Sequence, residues 1–263
     1  ASDFSALELV FYRSAFGAAV IAIWVAWKGF TLKTPLVRSH FMRSFLGTFA
    51  LTIWFYAISK LPLGTAMTLN YTSPLYMALI VIFLAIRKGE SFSRASATAV
   101  ALGFLGVTLV LKPELSPEQT FPALVGLTSG FFAALAYFQI RQLTRMQEPE
   151  WRIVFYFTLF GTAWGLGGHL LLTGGMTPVT WDNVPALLGM ALTATGAQLA
   201  MTRSWGSANT LLTAVFQYSA IIFAAGFGVA FFDEPIGLMS AVGIAVILVS
   251  GVWAAVIAKK GRN

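Results

Sequence analysis

The 263-residue sequence has no cysteine and only two histidines. Without thiols there are no disulfides and no thiolate metal sites. His40 and His169 fall at opposite membrane edges, so they cannot share a metal ion, and neither a metal centre nor a cofactor is expected. Charge is scarce as well: Asp, Glu, Lys and Arg make up 10% of the chain, against about 25% in ordinary soluble domains. No Ser/His/Asp set, H-E-x-x-H, paired carboxylates or G-x-x-x-x-G-K-[ST] loop occurs. The chain therefore has no evident nucleophile–base pair and no site for burning ATP. Residues 1–30 lack a basic n-region and a small-residue cleavage site, so no signal peptide is expected.

What the sequence has in abundance is apolar surface. Hydrophobic residues are 57% of the total and mean hydropathy is +0.77. Runs long enough to cross a hydrocarbon layer about 30 Å thick recur from end to end. The pattern predicts an all-α polytopic membrane protein with helices at 5–27, 40–58, 63–86, 95–112, 122–142, 151–172, 185–203, 208–232 and 236–258. A net charge of +7 does not point to nucleic acid, because the cations alternate with the loops. Lys28, Lys33, Arg38 and Arg43 follow the first helix; Arg87, Lys88 and Arg94 the third; Arg141, Arg145 and Arg152 the fifth. Arg203, then Lys259, Lys260 and Arg262, continue the series, while the intervening loops hold only Lys60 and Lys112. Positive loops face the cytoplasm, which places the C-terminus there.

The helices are organised around residues 62–86, an uncharged stretch with Asn70-Tyr71-Thr72-Ser73-Pro74 near its middle. Pro74 has no N–H, so a continuous helix would strand the Asn70 carbonyl, and Pro74 marks a helix break. In lipid such a break survives only against protein or water. A second version appears as Gln217-Tyr218-Ser219, 147 residues after Asn70-Tyr71-Thr72. Residues 10–19 and 154–163 agree at six of ten positions. Gly89-Glu90 pairs likewise with Asp233-Glu234, and Gly106-Val107 with Gly251-Val252. By the loop charges the two copies run in opposite directions, the inverted repeat of many secondary transporters. The halves are 1–113 and 114–263. The first has four helices and the second five, so a ten-helix (5+5) transporter is expected, with nine helices visible and the first missing from this chain.

Residues Ser5-Ala6-Leu7-Glu8-Leu9-Val10-Phe11-Tyr12-Arg13, Ala57 to Ala66 leading into Tyr71-Thr72-Ser73-Pro74-Leu75, and Leu102-Gly103-Phe104-Leu105-Gly106-Val107 carry a likeness to a known family. On them the chain resembles the drug/metabolite transporter superfamily, in its EamA-like branch. Within that branch it looks most like bacterial inner-membrane exporters of aromatic amino acids. The resemblance implies an exporter of small metabolites, with amino acids bearing aromatic or other apolar side chains as cargo. A multidrug or nucleotide-sugar type carrier is the alternative, although a sugar-nucleotide carrier should hold several cavity cations and only Arg13 is available. An intramembrane enzyme and a non-transporting scaffold stand further off.

The candidate binding residues are Arg13, Trp54, Asn70, Tyr71, Tyr137, Gln198, Gln217 and Tyr218. Arg13 lies within a span, where a charge must face the bundle or water; it either ties to Glu8 or free carbonyls, or attracts a substrate carboxylate. Asn70 and Tyr71 either join helices or line a cavity, as does Gln198, with Thr195 one turn before it. Trp54 and Tyr137 either pack or stack on cargo, whereas Trp27 and Trp151 suit an interfacial belt. The glycine pairs Gly126/Gly130 and Gly161/Gly165 read as close helix contacts. Asp3, Glu90, Glu114, Glu118, Glu148, Glu150, Asp182, Asp233 and Glu234 lie at edges, and Glu8 at most one turn in. With no mid-depth acid, downhill export or coupling without a buried carboxylate is expected. The expected partners are an amino acid and the bilayer, and the expected state is a monomer.

Overall fold

The computed structural model describes residues 4–61, 63–89, 91, 93–111, 117–206, 209–232 and 237–260. Asp3, Pro62, Glu90, Lys112, Glu114, Asp233, Glu234 and Arg262, used in the sequence reading, lie outside the described residues. The elements are α1 (Ala6–Lys28), α2 (Val37–Lys60), α3 (Leu63–Asn70), α4 (Ser73–Arg87), α5 (Arg94–Leu111), α6 (Thr120–Arg145), α7 (Glu150–Thr173), α8 (Val184–Gly206), α9 (Thr210–Gln217), α10 (Ser219–Phe232) and α11 (Leu238–Lys260), with a 3-10 turn at Pro117–Gln119. Among the described residues there is no strand. Among the described residues six spans have the length and apolarity to cross a bilayer, α3–α4 counting as one of them, and shorter apolar stretches cover 97–110, 212–223 and 238–254.

The outer surface is what lipid demands. Large apolar side chains such as Ile23, Leu79, Phe83, Leu171 and Leu172 are exposed, and in water such a surface would aggregate. Hydroxyls inside the helices return to their own backbone: Thr52 donates to the Thr48 carbonyl, Thr108 to Phe104 and Thr193 to Gly189. Such bonds satisfy a donor where no water can. Trp151 stacks on Phe30 with Trp24 edge-on, and Trp27 is exposed beneath the Lys28 ammonium. Both tryptophans thus sit where a helix meets a loop, as interfacial aromatics do.

The chain forms two compact units, 1–59 with 135–206 and 60–134 with 207–263. Each draws helices from both sequence halves. In the first, α1 and α7 pack side by side. Ser5 caps α1 by accepting from the Glu8 amide, and Glu8 accepts from the Ser5 amide in return, a capping box. The chain leaves α1 at Gly29 (φ 67°) and α7 at Gly174 (φ 73°), both left-handed, which glycine adopts without a β-carbon clash.

The α1–α7 contact is reciprocal. A β-carbon on Gly161 would lie 2.6 Å from the Ser14 hydroxyl, and one on Gly17 would lie 3.0 Å from the Thr158 methyl. Ser14 and Thr158 are equivalent positions of the repeat, as are Gly17 and Gly161. Each copy therefore presents its glycine to the other's hydroxyl residue, the signature of a local two-fold axis. Further along, Gly165 lies against the Phe11 and Leu7 backbone, so the helices run antiparallel.

In the second unit, α5 and α11 cross where Gly106 and Gly243 face each other; a β-carbon on either would come within 2.8 Å of the other's carbonyl oxygen. The two uncharged stretches are interrupted, one between α3 and α4 and the other between α9 and α10. The first interruption falls at Tyr71-Thr72, ahead of the expected Pro74. Pro74 stands in the first turn of α4, where a missing N–H is harmless. The Thr72 hydroxyl takes up the Leu69 carbonyl at 2.6 Å. Gly130 on α6 packs on the corner: a β-carbon there would press on that hydroxyl and lie 3.0 and 3.2 Å from the Leu69 and Asn70 carbonyl oxygens. Gly130→Ala is expected to cost about 1–3 kcal/mol, as overpacking does, read by thermal unfolding in detergent. Gly189→Ala on α8, with nothing within 4 Å, is the matched neutral change.

Candidate functional site

The sequence-nominated residues divide between the units. In the second unit, Tyr71 and Tyr218, equivalents in the repeat, meet with ring centroids 6.4 Å apart. Both stand at a helix interruption. Tyr218 is 0% exposed, and a β-carbon on Gly103 would fall 2.5 Å from its ring, so the ring needs that glycine. Its hydroxyl has no hydrogen-bond partner among the described residues. Asn70 ends α3 and donates to the Ser129 hydroxyl of α6 at 3.1 Å, and Ser129 donates to the Gly126 carbonyl. Asn70 thus joins helices, and it remains half-buried. Gln217 closes α9.

In the first unit, Gln198 is buried on α8 and its amide lies 3.4 Å from the Thr202 hydroxyl. Thr195, one turn before it, touches Gly17. Trp54 is partly buried on α2 and stacks on Phe55. Tyr137 on α6 stacks on Trp205 of α8, centroids 4.8 Å apart and planes 12° from parallel. Trp205 was not among the nominated residues, and its position near the end of α8 offers no separate signal.

Arg13 makes no ion pair with Glu8. The Glu8 carboxylate, 1% exposed, accepts from the Thr177 amide at 2.6 Å and the Thr177 hydroxyl at 3.1 Å, with the His169 ring 3.3 Å away. Arg43, read from sequence as a loop cation, lies inside α2 and is buried. Its guanidinium sits 4.1 Å from the Phe157 ring centroid. The count of loop cations assigns it to the loop although the expected helix 40–58 already spans it, and α2 starts earlier still, at Val37.

Glu148 is in the expected loop but is buried. It accepts from the Thr34 hydroxyl and from Arg152 at 2.8 Å, and His40 lies 3.5 Å away. Burial pushes its carboxyl up, but the Thr34 and Arg152 bonds and the Arg152 charge outweigh that and hold it below the usual glutamate value. The two acids are counterparts. Glu8 at the start of α1 grips the loop after α7, and Glu148 just before α7 grips the loop after α1. Among the described residues no group of acids and histidines could hold a metal.

Large apolar side chains exposed along the helices, antiparallel repeat copies and interrupted helices are the features of a membrane carrier. The chain belongs to the EamA-like transporter family, which it matches over residues 1–112 and 120–256. It is a multi-pass membrane transporter of that family. It is 31% identical to the pseudopaline exporter CntI of Pseudomonas aeruginosa, over 92% of this chain and 84% of that protein. An uncharacterised transporter of Helicobacter pylori is 26% identical over 95% of this chain and 85% of its own length. The S-adenosylmethionine uptake transporter of Rickettsia bellii is 30% identical over 46% of this chain and 42% of its own length. One crystal structure matches with a TM-score of 0.76 at 20% identity, covering 95% of this chain and 89% of that one; it supports the fold.

Proposed function

We propose that this transporter exports small metabolites, first among them amino acids with aromatic or other apolar side chains, across a bacterial inner membrane by alternating access. The observation that carries this reading is the meeting of Tyr71 and Tyr218 at the two helix interruptions, with the Tyr218 hydroxyl buried and unpartnered. A buried hydroxyl without an acceptor costs about 1–3 kcal/mol by protein mutational measures. A polar cargo group or cavity water would satisfy it. Aromatic rings stack on an apolar side chain, while Asn70 and Gln217, in the same unit as the two tyrosines, have amides suited to an amino acid backbone. The halves 1–113 and 114–263 act as the inverted repeats, the chain works as a monomer, and its C-terminus is cytoplasmic. No covalent chemistry is required.

The test is flux of labelled amino acids from liposomes holding the purified protein. Asn70→Ala and Gln217→Ala are each expected to lower flux about tenfold or more, equivalent to about 1.4 kcal/mol of lost binding, while both proteins stay folded and Asn70→Ala loses no more stability than its one interhelical bond, about 0.6–2 kcal/mol. Flux that survives both changes removes the proposed site. The relative that exports pseudopaline favours a second reading, export of pseudopaline or a similar molecule. Vesicles loaded with pseudopaline decide between the two.

A further inference from the structure

Two arginines lie within the spans of the first unit, Arg13 on α1 and Arg43 on α2. Among the described residues neither has an ion pair. The neighbouring acids are committed, Glu8 to Ser5, Thr177 and His169, and Glu148 to Thr34, Arg152 and His40. Arg43 is 2% exposed, yet its Nε and Nη1 have no hydrogen-bond acceptor among the described residues. The residue is accommodated by shape: Gly47, one turn on, leaves room for Nη1, and Phe157 supplies a ring face. Arg13 and Tyr137 both lie within electrostatic reach of Arg43, and Tyr137 within reach of Arg13.

Two like charges in a low-dielectric interior repel, and an unpaired buried guanidinium is costly. Such an arrangement is relieved by an anion. Arginine's planar fork presents parallel N–H donors that match a carboxylate. We propose that Arg43 binds the carboxylate of the transported solute. The repeat positions equivalent to Arg43 fall at Leu187 to Met190, which include no cation, so the site occurs once and gives the solute one orientation. This inference rests on the reading of the chain as a carrier of amino-acid-like solutes and names the group by which it selects them.

The experiment is thermal unfolding of the detergent-purified protein in a non-coordinating buffer, titrated separately with tryptophan, tryptamine, acetate and chloride. For the wild type, tryptophan and acetate raise the transition and tryptamine does not. Arg43→Met abolishes both shifts, and Arg43→Lys weakens them about tenfold, since it keeps the charge and loses the fork. Without ligand, Arg43→Met is at least as stable as wild type, because it removes an unpaired buried charge. Equal shifts from tryptophan and tryptamine, shifts unchanged in Arg43→Met, or a shift from chloride alone would overturn the proposal. So would an Arg43→Met protein less stable than wild type, which would show the guanidinium already paired. A shift from acetate but none from tryptophan keeps the anion site and removes amino acids as cargo.

Discussion

Gly165→Ala is expected to destabilise the protein by about 1–3 kcal/mol, the usual cost of forcing extra volume into a packed contact. A β-carbon at Gly165 would stand 2.6 Å from the Phe11 amide nitrogen and 2.7 Å from the Leu7 carbonyl oxygen. Both are backbone atoms, so no side chain can rotate away, and α1 and α7 must separate. Gly167, two residues on, has nothing within 4 Å. Gly167→Ala should leave stability unchanged or raise it slightly, because alanine favours helix over glycine by about 1 kcal/mol. Thermal unfolding of the pair in one detergent reads the difference. Equal behaviour of the two variants would mean that α1 and α7 are not in backbone contact.

Glu148→Ala is expected to cost on the order of 1–3 kcal/mol, because it removes the acceptor of the Thr34 hydroxyl and of the half-buried Arg152 guanidinium. Arg152 would keep its bond to the Thr31 carbonyl at 2.9 Å but lose its carboxylate. Thr34 and the loop after α1 would lose their anchor. The same network sets a pH dependence. The Glu148 carboxyl is held below its ordinary value of 4.5, so its stabilisation is fully present above that value. It is lost as pH falls through the lower folded value. Wild type should lose stability on acidification below about pH 4.5, and Glu148→Gln should show a smaller loss over the same range. A variant as acid-sensitive as wild type would remove Glu148 from the acid response.

These sites differ in how legible they were. The interruptions at Tyr71 and Tyr218 were visible because a polar run in the middle of an uncharged span has few other uses. Their exact place was less so, since Pro74 fits the first turn of a new helix as well as it breaks an old one. The alternation of cations assigns a direction to each helix, yet it also puts Arg43 into a loop. Nothing local marks that arginine as buried; Gly47 and the ring of Phe157, from a distant part of the chain, make its place. Glu8 and Glu148 were read as edge acids, and so they are by depth. Their burial comes from Thr177 and Thr34, in loops that fold back over them, which no helical periodicity reports. The two compact units mix helices of both halves for a similar reason: pairing of α1 with α7 is a contact between residues some 140 apart.

Opposite orientation of the two repeat copies is the most direct point to test, and the absence of cysteine makes it simple. Lys33→Cys lies in the loop after α1 and Gly175→Cys in the loop after α7, both exposed. Each single-cysteine protein is treated with a membrane-impermeant thiol reagent, in intact cells and in inverted membrane vesicles. Antiparallel copies predict that position 175 reacts in intact cells and position 33 in inverted vesicles. Reaction of both positions from the same side would contradict the inverted repeat and the transport mechanism built on it.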